Sequence, residues 1–225
     1  EGDFFPNFAH GTAGIAWMFA TLYKESKVER YLDLAKRAVV YLQSIAVGDE
    51  SGTLIPYLDN PKTGPTWDKY YLSTCHGPVG TTLVFRMLYE LTGEQEYLDW
   101  IKRLARGIIR AGAPEKNSWG YWASNCQCCG APGVLEHFVS VYELTGEEEF
   151  LEYAKRTADV LVGDSQLLDG KRRWMSAWNR PTPEVVKSFT GFYVGSAGGS
   201  SSLLKLYSAL ENKPFTDIFE YIYFD

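Results

Sequence analysis

A Gly-x-x-Gly pair occurs four times in this chain, at Gly11/Gly14, Gly77/Gly80, Gly130/Gly133 and Gly195/Gly198, and each pair is followed by the same series of residues. Twelve residues after each first glycine stands a tyrosine (Tyr23, Tyr89, Tyr142, Tyr207), and twenty residues after it another aromatic (Tyr31, Tyr97, Phe150, Phe215). The middle units are near copies, Tyr89-Glu90-Leu91-Thr92-Gly93 against Tyr142-Glu143-Leu144-Thr145-Gly146. Agreement at three offsets in four units defines a repeat protein, in which each unit buries its apolar face against its neighbours.

Each unit reads as a helical hairpin. An apolar stretch of about four turns follows the glycine pair, as in Gly80-Thr81-Thr82-Leu83-Val84-Phe85-Arg86-Met87-Leu88-Tyr89. It stops at Thr92-Gly93, where glycine can take the left-handed conformation that ends helices. A second, amphipathic segment runs from Glu96 to Ala105, with acids in its first turn and Lys102 and Arg103 later, which suits the helix dipole. The first helix of each pair is apolar nearly all round and should be buried; the second has a solvated face. Such hairpins stack as an open solenoid or as a ring of inner and outer helices. The connectors 48–74, 111–127 and 164–190 are longer than a solenoid needs, and loops of that length are usually functional. All precede a glycine pair, so they should gather where the inner helices begin. The expected fold is all-α: one domain over 1–225, an (α/α) toroid of four hairpins and therefore an incomplete ring. Its two ends would expose apolar surface. Further hairpins N-terminal to Glu1, or a second copy or partner, are expected to cover it.

Charge narrows the function. The net charge of −6 argues against a nucleic-acid footprint, and no apolar run is long enough to span a bilayer. Of four cysteines, three crowd into Cys126-Gln127-Cys128-Cys129, a spacing of ligands or reactive thiols rather than of a disulfide scaffold, so a reducing, cytoplasmic compartment is expected.

The residues just before the first glycine differ from unit to unit. They are Ala9-His10, then Thr74-Cys75-His76, then Cys126-Gln127-Cys128-Cys129, while the fourth unit has Phe192-Tyr193-Val194. Equivalent repeat positions are carried to equivalent places, so His10, Cys75, His76, Cys128 and Cys129 should converge at the starts of the inner helices. Helix N-termini lower a nearby thiol's pKa. Converging sulfur and imidazole ligands suit zinc, and three protein ligands leave the open position of a catalytic site. Two other readings stand beside this one. The cysteines could pack as small hydrophobes, or Cys126 could be a fourth ligand and close the site. His137, inside an inner helix beside Glu136, reads as a packed core residue.

These motifs carry a family resemblance. Phe8-Ala9-His10-Gly11-Thr12-Ala13-Gly14 resembles the His-Gly-x-x-Gly motif of the lanthionine synthetase C-like (LanC-like) cyclases. Cys75-His76-Gly77-Pro78-Val79-Gly80 resembles their Cys-Tyr-Gly-x-Pro-Gly, and Cys128-Cys129-Gly130-Ala131-Pro132-Gly133 their Cys-His-Gly-x-x-Gly. Gly191 to Gly198 is similar to the family's closing repeat. The resemblance spans nearly the whole chain but only the later part of a full-length member, which closes a toroid of seven hairpins. It implies Cys75, Cys128 and Cys129 as zinc ligands and His10 as the proton-transfer residue, with His76 a second catalytic candidate. Cys129 stands where most members have His, His76 where a phenol is usual, and Tyr71 near the place of a common Arg. The family's catalytic Asp lies in an earlier repeat absent from this chain.

The implied reaction is zinc-assisted Michaelis-type addition of a Cys thiol to dehydroalanine or dehydrobutyrine, giving a thioether. Free Cys is only a few per cent thiolate at neutral pH, whereas a zinc-bound thiol is deprotonated outright. The addition makes an enolate that needs a proton at carbon, which His10 or His76 could deliver. The implied partners are a dehydrated precursor peptide or a small-molecule thiol, together with a dehydratase or transporter. Two alternatives belong to other classes. One is a non-catalytic, glutathione-type thiol binder. The other is an α/α-barrel carbohydrate-active enzyme, with aromatics such as Trp67, Tyr70, Tyr71 and Trp174 for a glycan and Asp68 and Glu136 as its carboxylates.

Overall fold

The computed structural model describes residues 2–60, 62–65, 70–116, 124–176 and 184–216. Among them the hairpins are regular. The first helices, α1 (Thr12–Ser26), α3 (Pro78–Thr92), α5 (Ala131–Thr145) and α7 (Ser196–Leu210), are each 15 residues long. Their partners α2 (Glu29–Ser44), α4 (Gln95–Arg110) and α6 (Glu148–Gly163) are each 16. The partner expected for α7 falls largely outside the described residues, as do Trp67 and Asp68 of the glycan reading and the further connector tryptophans Trp119, Trp122 and Trp178.

Two kinds of glycine punctuate the hairpins. Gly93 and Gly146 end α3 and α5 at φ +69°, the left-handed conformation, and donate their amides to Tyr89 and Tyr142. A side chain would find open space there, so the requirement is purely conformational. The glycine pairs are the reverse case. Gly11, Gly77 and Gly195 cap their helices at negative φ (−152°, −136° and −134°). A Cβ on any of them would collide with the backbone of the residue six earlier: Phe5, Tyr71 and Phe189. The second glycines repeat the rule, Gly14 against Phe8, Gly80 against Thr74 and Gly198 against Phe192. The motif therefore folds the preceding loop back onto the start of its helix, which is how those loops reach the helix N-termini.

By contact the chain forms two compact units. The first comprises Glu1–Ala123 with Cys128–Gly130. There α1 pairs with α2, α3 with α4, and α1 lies against α3. Leu42, Phe85, Leu88, Ile101, Leu104 and Ile108 are fully buried in its core, each apolar side chain of this size stabilising by about 1.5–3 kcal/mol. The connector before α3 contains short antiparallel pairs, β1 (Val47–Asp49) with β2 (Gly52–Leu54) and β3 (Asp59–Asn60) with β4 (Gly64–Pro65). Strand β2 packs on α4, where Gly107 leaves room for the Thr53 carbonyl.

The second unit comprises Ser124–Gln127 and Ala131–Asp225. Here α5 pairs with α6 and packs against α7. A hairpin of β5 (Gln166–Leu168) and β6 (Lys171–Arg173) turns through Asp169 and Gly170, both at positive φ.

The expectation that all first helices are buried holds for α3 and α5. On α1 and α7, the first and last of these helices, one face each stays exposed, as expected for the uncovered ends of an incomplete ring. Ile15, Met18 and Leu22 are 40–54 % exposed, and Leu204, Tyr207 and Leu210 are 45–57 % exposed. Each set recurs at helical spacing and so forms a stripe on one face. Among the described residues no helix is long and apolar enough to cross a membrane.

Candidate thiol centre

Three loops that precede helices are tied together in the first unit at one repeat position. Ala9, Cys75 and Cys128 each lie two residues before the first glycine of their repeat. The Ala9 amide donates to the Cys75 carbonyl at 2.9 Å, and the Cys75 amide to the Cys128 carbonyl at 3.3 Å. The repeat thus aligns its equivalent positions through the backbone, and the side chains that follow are brought together.

Cys75, Cys128 and Cys129 form a cluster of half-buried sulfurs, all within 4.8 Å of one another. Cys129 Sγ lies 3.5 Å from Cys128 Sγ and 3.9 Å from Cys75 Sγ. Zinc–sulfur bonds of about 2.3 Å in a tetrahedron set ligand sulfurs about 3.8 Å apart, so these two separations fit a shared metal. Cys75 and Cys128 are paired as a disulfide, with Cα atoms 5.9 Å apart. Metal binding requires Cys75 and Cys128 in their reduced form. Three soft donors at one point match what zinc selects. Cys126 is not in the cluster; it is fully buried, with its sulfur 3.1 Å from Ser124 Oγ.

His10 and His76 are in ring contact, with centroids 5.1 Å apart. His76, directly after Cys75, sits among aromatic rings: Tyr57 at 5.0 Å, Tyr71 at 5.5 Å and Phe5 at 5.6 Å. Its Nδ1 is buried without a hydrogen-bond partner. Burial, and secondarily the neighbouring His10, lowers its pKa from 6.5 to about 4. His76 is therefore neutral at pH 7. His10 is exposed.

In the second unit His137 is buried, and its pKa is pulled down to about 3 by desolvation first and Lys205 second, which agrees with a packed core residue. Glu136 is equally buried and accepts from Gln127 Nε2 at 2.6 Å. A carboxylate held this way does not stand open as one of a glycosidase pair. Its proposed partner Asp68 lies outside the described residues. Sequence reading missed Phe5 and Tyr57, which no motif marks, and Gln127, hidden between two cysteines.

Residues 1–220 match the profile of the lanthionine synthetase C-like proteins. No curated protein matches the chain in sequence. Among solved structures it is similar to nisin cyclase, with TM-score 0.67 and 15% identity over 92% of this chain and 47% of that one. It is similar to the Lin0763 protein from Listeria innocua, with TM-score 0.61 and 18% identity over 91% and 57%. It also resembles a D-mannose isomerase, with TM-score 0.59 and 12% identity over 90% and 56%. Identities this low speak for the fold alone: helical hairpins of the α/α toroid kind. The chain spans about half the length of the structures it matches.

Proposed function

The chain belongs to the lanthionine synthetase C-like family, and on that premise we propose that it is a zinc-dependent, thioether-forming cyclase. The reading is carried by one observation: three cysteine sulfurs from two repeats, all just before a glycine pair, converge within 4.8 Å of one another. Cys75, Cys128 and Cys129 would hold the ion. Held by these three thiolates, the ion would supply a deprotonated, electron-rich substrate thiol.

The remaining steps belong to the chain's own side chains. The substrate sulfur bonds to the β-carbon of a dehydroalanine or dehydrobutyrine, and the alkene electrons move onto the adjacent carbonyl as an enolate. His10, exposed and in ring contact with His76, the residue after Cys75, delivers a proton to the α-carbon. His76 stays uncharged among Phe5, Tyr57 and Tyr71, and its free Nδ1 can make a neutral hydrogen bond to the substrate carbonyl. The substrate is a dehydrated peptide carrying a Cys, supplied by a dehydratase. A reducing, cytoplasmic compartment suits a centre that works through free thiols.

The test is ring closure on a dehydrated, Cys-containing peptide, followed as loss of free thiol without change of mass. The zinc-loaded, reduced chain should close the ring, stop when a chelator strips the metal, and resume on zinc addition. A zinc-loaded chain that leaves the peptide thiol free refutes the reading. Turnover of glutathione in place of the peptide would redirect it to a small-molecule thiol.

A further inference from the structure

Gln127, one peptide bond from Cys128, occupies the position three before the first glycine, where the other repeats have Phe8, Thr74 and Phe192. It is 2 % exposed. Its Nε2 donates to Glu136 Oε2 on α5 at 2.6 Å. Ser202 on α7 has one hydroxyl proton and three acceptors within reach, Gln127 Oε1 at 2.9 Å, the Gly198 carbonyl at 3.1 Å and Glu136 Oε2 at 3.2 Å. Ser202 is fully buried. Gly198 completes the enclosure: a Cβ there would lie 3.0 Å from the Gln127 Cβ, a tight contact, and would collide with the Phe192 carbonyl. The turn itself is closed by the Ala131 amide donating to the Ser124 carbonyl at 3.0 Å.

We propose that Gln127, locked between Glu136 and Ser202, is a positioning residue that fixes the turn bearing the Cys128–Cys129 ligand pair. Burying a carboxylate, an amide and a hydroxyl costs free energy that three apolar side chains would not cost. In return it gives directional bonds to both sides of one amide, and so a single orientation of the peptide leading into Cys128. A glutamine whose amide is bonded on both sides, to two different helices, is held in one rotamer, and its own backbone is tethered in the turn that leads into Cys128. The inference rests on the metal reading above and extends it to residues that do not touch the ion. Outer residues of this kind typically change metal affinity by about 10–100-fold when altered.

The experiment compares the reduced wild-type chain with Gln127→Leu, Glu136→Gln and the exchange Gln127→Glu/Glu136→Gln. Zinc affinity and the visible spectrum of the Co²⁺-substituted chain are measured, with thermal melting as the folding control. Folded Gln127→Leu and Glu136→Gln should lose on the order of tenfold or more in zinc affinity and broaden the cobalt spectrum. The exchange, which restores one amide facing one carboxylate, should recover both. Wild-type affinity and spectrum in both single variants overturn the inference. A second arm needs no metal: phenylarsine oxide, which bridges closely spaced thiols, should bind the reduced wild-type chain more tightly than Gln127→Leu. If the wild type takes up no zinc, the functional reading falls, and the arsenical arm still decides this inference. Equal arsenical binding then overturns it as well.

Discussion

The turns entering α3 and α7 share a backbone and differ in chemistry. Both helices are capped by a glycine in nearly the same conformation (φ −136° and −134°), and both fold a loop carbonyl six residues back onto that glycine. One turn carries Cys75-His76 and the other Tyr193-Val194. The repeat thus builds one scaffold several times and equips only some copies with donors. Scaffold and chemistry are therefore separable, and damage to each should be read by different measurements.

The largest effect is expected at the shared glycines. Gly77→Val and Gly195→Val keep a residue content to be extended, but each forces a side chain into backbone. Both should destabilise the chain by about 3 kcal/mol or more, seen as similar drops in thermal midpoint. A large loss at one and none at the other would break the equivalence. The next effect is confined to the donor-bearing repeats. His10→Ala should keep zinc and the thermal midpoint while slowing ring closure on the order of 10²-fold; unchanged turnover would remove His10 from the chemistry. The smallest effect concerns the second unit. His137 has its pKa lowered to about 3 in the fold against about 6.5 when unfolded. Between those values the unfolded chain binds a proton that the folded chain refuses, so stability is full above about pH 6.5 and falls as pH drops toward 3. His137→Phe should flatten that slope; an unaltered acid limb would mean other groups set it.

The four glycine pairs and the tyrosines behind them made the hairpins legible, because both glycine roles are local: a left-handed stop at Gly93 and Gly146, and a close approach at Gly77 and Gly80. Convergence of Cys75, Cys128 and Cys129 was legible for the same reason, since equal repeat offsets become backbone neighbours. The two- and three-residue strands in the connectors were not, because pairs this short leave no period to detect. That α1 and α7 would carry uncovered apolar surface was legible from their places at the two ends of the repeat; which side of each lacks a neighbour was not, because an all-round apolar helix such as Thr12–Ser26 does not say. The disulfide pairing of Cys75 with Cys128 and the bonds of Gln127 depend on contacts made only by the folded chain.

Zinc content of the reduced chain is the most direct measurement, made on the wild type, Cys75→Ser, Cys128→Ser and, as a scaffold control, Tyr193→Ser. About one Zn²⁺ per chain is expected in the wild type and in Tyr193→Ser, and far less in either cysteine variant. Zinc-free wild type from metal-replete cells, or full retention of zinc by Cys75→Ser and Cys128→Ser, would contradict it.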